Sequence, residues 1–208
     1  MANFADAIEP NQDLGGAISF PVTWLVEESG QTYVYGVPLQ VNGTDGGLQI
    51  WDGTTLTAGI AGFSFQAAQN LGTTGAGAAQ PFSPILGAGS VIGSYAANPN
   101  QSAAVITPPM VPISIGLSAV FTAAPTTVFI GKIGTSSGVT GVATTNQQVG
   151  VAYGLTKDTG NAFWYVDTNK TGGSAAVRVV GLSPLEAVGT VGGHVLFVVL
   201  AATAQIIA

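Results

Sequence analysis

The chain has 208 residues, with four Lys or Arg, ten Asp or Glu and one His, for a formal net charge of −6. Four cations cannot line a nucleic-acid backbone, and the absence of cysteine removes disulfide frameworks and thiolate metal sites. Charged residues make up 7% of the chain, against about 25% in ordinary soluble domains. Its surface is therefore built from Gly, Ala, Ser, Thr, Asn and Gln, which favours burial against other subunits because few full charges must lose water. No charged segment precedes an apolar core near residue 1, so no secretory leader is expected. The apolar run at 195–204 is too short to cross a bilayer as a helix, and neither a membrane nor a nucleic acid is an expected partner.

Residues 1–20 carry isolated apolar anchors, Phe4, Ile8, Leu14, Ile18 and Phe20, separated by Asp6, Glu9, Pro10, Asp13 and glycine. Their spacing is too irregular for a long helix. Ordering such a segment costs roughly 1–2 kcal/mol per residue in backbone entropy, which it must recover from a surface it lies on. An extended N-terminal arm is expected, with a frayed terminus as the alternative. Residues 21–65 read as a first β module. It has a strand at 23–26, a turn at 27–30, a strand pair or bent strand over 32–41 interrupted by Gly36 and Pro38, a turn at 42–47 and a strand at 48–51. In the run 56–65, the small residues Ala58, Gly59, Ala61 and Gly62 allow another backbone to come close.

No charge occurs from Gly53 to Gly131. Residues 66–104 read as a long uncharged loop lying over a neighbouring subunit, with Phe82, Ile85, Leu86, Val91, Ile92 and Tyr95 as anchors; an insertion hairpin between two β modules is the other reading. Residues 105–208 read as the main β domain, with strands at 105–107, 111–115, 117–122 and 128–133 before a Gly/Ser/Thr loop over 135–145. Four more runs follow at 149–155, 162–166, 175–180 and 194–200, separated by Asp-, Asn- and Gly-rich turns. The fold class is all-β: antiparallel β-barrel or β-sandwich modules with an extended N-terminal arm and long Gly/Ala-rich loops. The apolar segment 201–208 is expected to be pinned in a sheet or an interface.

Catalytic patterns are sparse. Gly134-Thr135-Ser136-Ser137-Gly138 matches G-x-S-x-G, and the order Ser136, then Asp158 or Asp167, then His194 matches an α/β-hydrolase triad. That chemistry needs a strand-to-helix elbow, yet residues 139–145 are dominated by Gly and β-branched residues, so no enzyme is expected. His194 is the only histidine and cannot provide a usual zinc site; a hydrogen-bonding role or exposure at a strand start is expected. The adjacent Glu27 and Glu28 point to opposite faces of an extended chain. Asp45 with Asp52, or Asp158 with Asp167, are the conceivable calcium pairs, against ordinary Asx-turn roles. No cofactor or metal is expected. Trp24, Trp51, Trp164, Tyr33, Tyr35, Tyr153 and Tyr165 suggest either core packing or a sugar platform. Phe163-Trp164-Tyr165 place side chains on both faces of a strand, so at least one aromatic is expected to face away from the local core, and Trp164 joins Phe82, Ile85 and Tyr95 as candidate oligomer-interface residues.

Two stretches carry a resemblance. One is residues 30–41, GQTYVYGVPLQV, followed by Leu48-Gln49-Ile50-Trp51-Asp52-Gly53 and Ile60-Ala61-Gly62-Phe63. The other is Trp164-Tyr165-Val166-Asp167, Val177-Arg178-Val179-Val180 and Gly192-Gly193-His194-Val195-Leu196-Phe197. The chain resembles the head decoration, or cement, proteins of tailed bacteriophages. The resemblance implies a β-rich structural virion protein on the outer surface of the capsid. It would bind major capsid protein subunits, with Phe4, Ile8, Leu14 and Phe20 of the arm as capsid-binding anchors, and self-associate, as a trimer first and a dimer next. A tail, neck or fibre component and a carbohydrate-binding module are the alternatives.

Overall fold

The computed structural model describes residues 6–13, 22–28, 30–43, 47–53, 59–68, 117–124, 126–160 and 163–205. Among these residues, regular structure consists of eleven strands in two sheets and short 3-10 turns, so the chain is all-β. The strands expected at 105–107 and 111–115, and the uncharged loop with Phe82, Ile85 and Tyr95, lie outside the described residues, as do Phe4, Leu14 and Phe20.

The first sheet closes on itself. β7 (Thr127–Gly134), β11 (His194–Val199), β10 (Val177–Leu182), β8 (Ala152–Lys157) and β9 (Trp164–Asp167) follow one another as antiparallel neighbours, and β9 returns to β7 through a parallel pairing of Ile133 with Val166 and Gly134 with Asp167. The result is a five-stranded barrel. Alternation places Val195, Phe197 and Val199 of β11 and Val177 and Val179 of β10 inside, while Arg178 and Val180 face out. β1 (Glu9–Asp13) runs antiparallel along the other half of the same β7 edge, from Glu9 against Ile130 to Asp13 against Thr127.

The second sheet is open, in the order β2 (Val22–Val26), β6 (Leu117–Thr122), β5 (Gly62–Ser64), β3 (Pro38–Val41), β4 (Leu48–Ile50). β5 is the close approach that the small residues foretell: a Cβ on Gly62 would stand 2.1 Å from the Phe121 carbonyl oxygen. The two sheets share one apolar core. Phe63 lies 4.5 Å from Phe129 and 6.1 Å from Phe197 between ring centres, and Trp51 packs 5.7 Å from Trp164. Each large side chain so buried contributes about 1.5–3 kcal/mol.

Four features differ from the sequence reading. Residues 117–122, expected with the C-terminal domain, pair with β2 and β5, so the sheets do not divide at residue 105. Extended pairing over 32–41 is confined to β3, because Gly36 turns the chain with φ +77° and Pro38 lacks a backbone N–H. Segment 6–13 is docked on the chain's own barrel. Ile8 is fully buried there, and it fits because two glycines make room: a Cβ on Gly36 would meet the Ile8 carbonyl oxygen at 2.7 Å, and one on Gly131 would meet Ile8 Cγ1 at 3.0 Å. Ile8 is therefore an anchor of this fold. Finally, Phe163, Trp164 and Tyr165 are all buried, because β9 has barrel strands at its edges, Trp51 on one side and the loop after β7 on the other. Trp164, singled out as an oligomer-interface candidate, lies in the core.

Candidate interaction surface

The residues in triad order separate into two pairs. After β7 the chain makes a tight turn, with Thr135 N donating to Gly138 O at 3.0 Å and Gly138 N to Thr135 O at 2.8 Å. One 3-10 turn follows (Val139–Gly141), which is not the helix that a nucleophile elbow requires. Exposed Ser136 donates to Asp167 Oδ2 at 2.8 Å. Asp167 is fully buried and also accepts from Thr156 Oγ1 at 2.7 Å and from the Asn169 N–H at 3.0 Å, so hydroxyls and an amide satisfy its carboxylate. His194 stands with Glu186 instead: Nδ1 lies 2.7 Å from Glu186 Oε1, and the His194 backbone N–H donates to Oε2 at 2.7 Å.

The remaining candidates resolve similarly. Asp158 accepts from Gly160 N at 2.9 Å, an Asx turn, while Asp45 lies outside the described residues. No three His, Asp or Glu side chains converge as a metal set among the described residues. Glu27 and Glu28 do diverge. Glu27 is buried with Tyr33 and Ser118, and Glu28 Oε1 accepts from Asn42 Nδ2 at 3.1 Å. Tyr33, Trp51, Tyr153, Trp164 and Tyr165 are buried and Tyr35 is half-buried; Phe65 is exposed, and its ring packs edge-on against Phe121 at 4.9 Å.

What the surface does present is apolar and held in place. Leu185 is 87% exposed, and Val188 and Val191 are each 60% exposed, all within the loop 183–193 between β10 and β11. The loop is tied down by backbone hydrogen bonds. Gly189 N donates to Thr144 O at 2.8 Å, Thr144 N to Thr190 O at 3.0 Å, Gly192 N to Val142 O at 2.8 Å and Ser183 N to His194 O at 3.1 Å. Thr190 Oγ1 donates to Ala187 O at 2.7 Å, and the Leu185 N–H to Ser183 Oγ at 3.3 Å. The Glu186–His194 pair fixes the loop from its other side.

The electrostatics of that pair are legible. Burial alone would raise the Glu186 carboxyl, but the backbone and side-chain hydrogen bonds from His194, with the charges of His194 and Lys132, outweigh it and hold Glu186 below the ordinary carboxylate range. Lys132, opposite His194 in the β7–β11 ladder, pairs with Asp6 at 2.5 Å and lies 5.7 Å from the centre of the Phe163 ring. The sequence reading missed Glu186. The available signal was that the one acid after Asp167 and the sole histidine flank the same Gly-rich turn.

Of the residues singled out for partners, Ile8 and Trp164 lie in the core, and the described residues do not include Phe4, Leu14, Phe20, Phe82, Ile85 or Tyr95. Comparison of the chain with protein-family models, with curated proteins and with solved structures gives no match.

Proposed function

We propose that this chain is a non-enzymatic structural protein of a tailed-phage virion that decorates and stabilises the outer capsid surface by binding major capsid protein subunits. The observation that carries the reading is the 183–193 loop, which displays Leu185, Val188 and Val191 on a backbone already hydrogen-bonded into place. Ordering a loop on binding costs free energy, and a pre-ordered loop avoids that cost. Exposed apolar side chains on an ordered loop, on a surface with few charges, suit a protein that spends its working life against other subunits. The resemblance noted in the sequence supplies the capsid as the partner. The engagement of Ser136 by Asp167 and of His194 by Glu186 is consistent with a protein that performs no hydrolysis. Many copies around a shell turn modest contacts into a durable coat, and self-association, a trimer first, belongs to the same reading.

The test is particle imaging of undecorated heads titrated with purified protein. Decoration predicts a fixed ratio to the major capsid protein on the outer surface. A variant with Leu185→Ser, Val188→Ser and Val191→Ser, folded by circular dichroism, is expected to bind at least a hundredfold more weakly, since each buried apolar side chain contributes about 1.5–3 kcal/mol. Equal occupancy by both proteins would remove the loop from the interface. Attachment confined to the neck or tail would replace decoration with a tail-component role.

A further inference from the structure

Beside the Glu186–His194 pair lies a cavity of about 220 Å³, formed by Ala7 and Glu9 of the N-terminal segment, Ile130 of β7, Ser183, Leu185 and Glu186 of the loop, and His194. Its wall is apolar at Ala7 and Ile130, and Leu185 forms an exposed apolar lip. Both oxygens of Glu186 are engaged by His194, and Asp6 and Lys132 neutralise one another. The Glu9 carboxylate has no hydrogen-bond or ion-pair partner among the described residues, although it faces Ile130 across the ladder and lies near enough to Tyr35 to raise that hydroxyl's pKa, second to burial. Among the described residues, therefore, a negative charge without a partner stands next to an apolar wall in a ready-made hollow.

We propose that this cavity receives a cationic side chain, arginine or lysine, of a partner protein. The aliphatic stem packs on Ile130 and Leu185, and the charged head pairs with Glu9. Few other chemistries suit the site. An anion is repelled by Glu9, and a purely apolar group covers Glu9 without satisfying it. Long cationic side chains combine a hydrocarbon stem with a charged tip, which is the combination these walls offer. The net charge of −6 also favours a basic partner in encounter. That the partner is a capsid subunit rests on the decoration reading; the cation site itself does not.

The single histidine makes the test direct, because the His194 imidazole gives a unique magnetic-resonance signal inside the cavity. N-acetyl-arginine amide is titrated into the full chain at fixed pH and low ionic strength, alongside N-acetyl-citrulline amide, its uncharged counterpart. The arginine derivative is expected to shift the His194 signal to saturation and the citrulline derivative not to. Glu9→Gln, which keeps the backbone ladder, should weaken arginine binding about fivefold, and Leu185→Ser about threefold. Equal responses to the two derivatives, a shift that does not saturate, or a response unchanged in Glu9→Gln would overturn the site. Titrating undecorated heads with the wild-type chain separates the two readings. A saturable, Glu9-dependent arginine response with bare heads leaves the cation site standing and removes decoration, whereas coated heads without that response do the reverse.

Discussion

The barrel and the open sheet meet the same problem, a chain that must bring distant strands together, and they solve it to different degrees. The barrel closes with two parallel residue pairs between β7 and β9. The second sheet brings its two edges to a single parallel bridge, Glu27 with Leu48, supported by the Glu28 N–H donating to Leu48 O at 2.9 Å. At each closure stands a buried carboxylate that accepts hydroxyls. Asp167 takes Ser136 and Thr156 at the barrel, while Glu27 takes Tyr33 at 2.6 Å and Ser118 at the open sheet. The comparison teaches that, at both closures, a buried acid fastens strands that lie far apart in sequence. It also separates a wet closure from a dry one, since Ser136 is exposed whereas Tyr33 and Ser118 are buried.

The largest expected effect comes from the seam between the two regions. Ile8→Ala removes a fully buried side chain from the notch between Gly36 and Gly131, and should cost about 2–5 kcal/mol in urea unfolding. A loss below about 0.5 kcal/mol would mean that segment 6–13 contributes nothing to holding the barrel and the sheet together.

Next comes the barrel closure. Asp167→Ala strands the Thr156 hydroxyl and the Asn169 N–H, and should cost about 2–4 kcal/mol, whereas Ser136→Ala deletes one donor that water can replace and should cost under about 1 kcal/mol. Equal costs for the two would place the value of this cluster in the Ser136 bond alone. Ser136→Ala should also leave particle binding unchanged.

The smallest effect sharpens the dry closure. The Tyr33 hydroxyl is pushed up far from its ordinary value, first by burial and then by its hydrogen bond to Glu27. A raised pKa in the folded state means that the stability from neutral Tyr33 is fully present below the unfolded value, about 10, and is lost as pH rises above it. Unfolding followed between pH 9 and 12 should show a steeper decline in the wild-type chain than in Tyr33→Phe. Parallel curves would show that Tyr33 does not govern the alkaline limit.

Much of this architecture was legible in the residues, and the rest was hidden for a physical reason. Strand runs at 149–155, 162–166, 175–180 and 194–200 correspond within a few residues to β8, β9, β10 and β11, because alternation and turn chemistry are local properties. The small residues before Phe63 announced a close backbone approach for the same reason. Ile8 could not be placed, since its notch is made by Gly36 and Gly131, which are neighbours only in the folded chain. Nor could the burial of β9 on both faces be seen, because it depends on Trp51 arriving from the other sheet and on the loop after β7. At the candidate surface, Leu185, Val188 and Val191 read as ordinary apolar residues. Only their exposure on a loop fastened by hydrogen bonds, among them Gly189 N to Thr144 O, shows that they are displayed.

The two ends of the described chain are laced crosswise. Segment 6–13 precedes the open sheet in sequence yet is stitched to the barrel, while segment 203–205 follows the barrel yet is stitched to the open sheet. There Ile60 N donates to Thr203 O at 2.6 Å and Gln205 N to Ile60 O at 2.9 Å. The Gln205 side-chain amide then imitates one more peptide unit, accepting from Val41 N at 2.6 Å and donating to Val41 O at 2.7 Å. A pull that tries to peel one sheet from the other must therefore shear both stitches at once. In a chain without cysteine, this arrangement gives the mechanical continuity that a covalent cross-link would otherwise provide, and it does so with bonds that can re-form after each rupture.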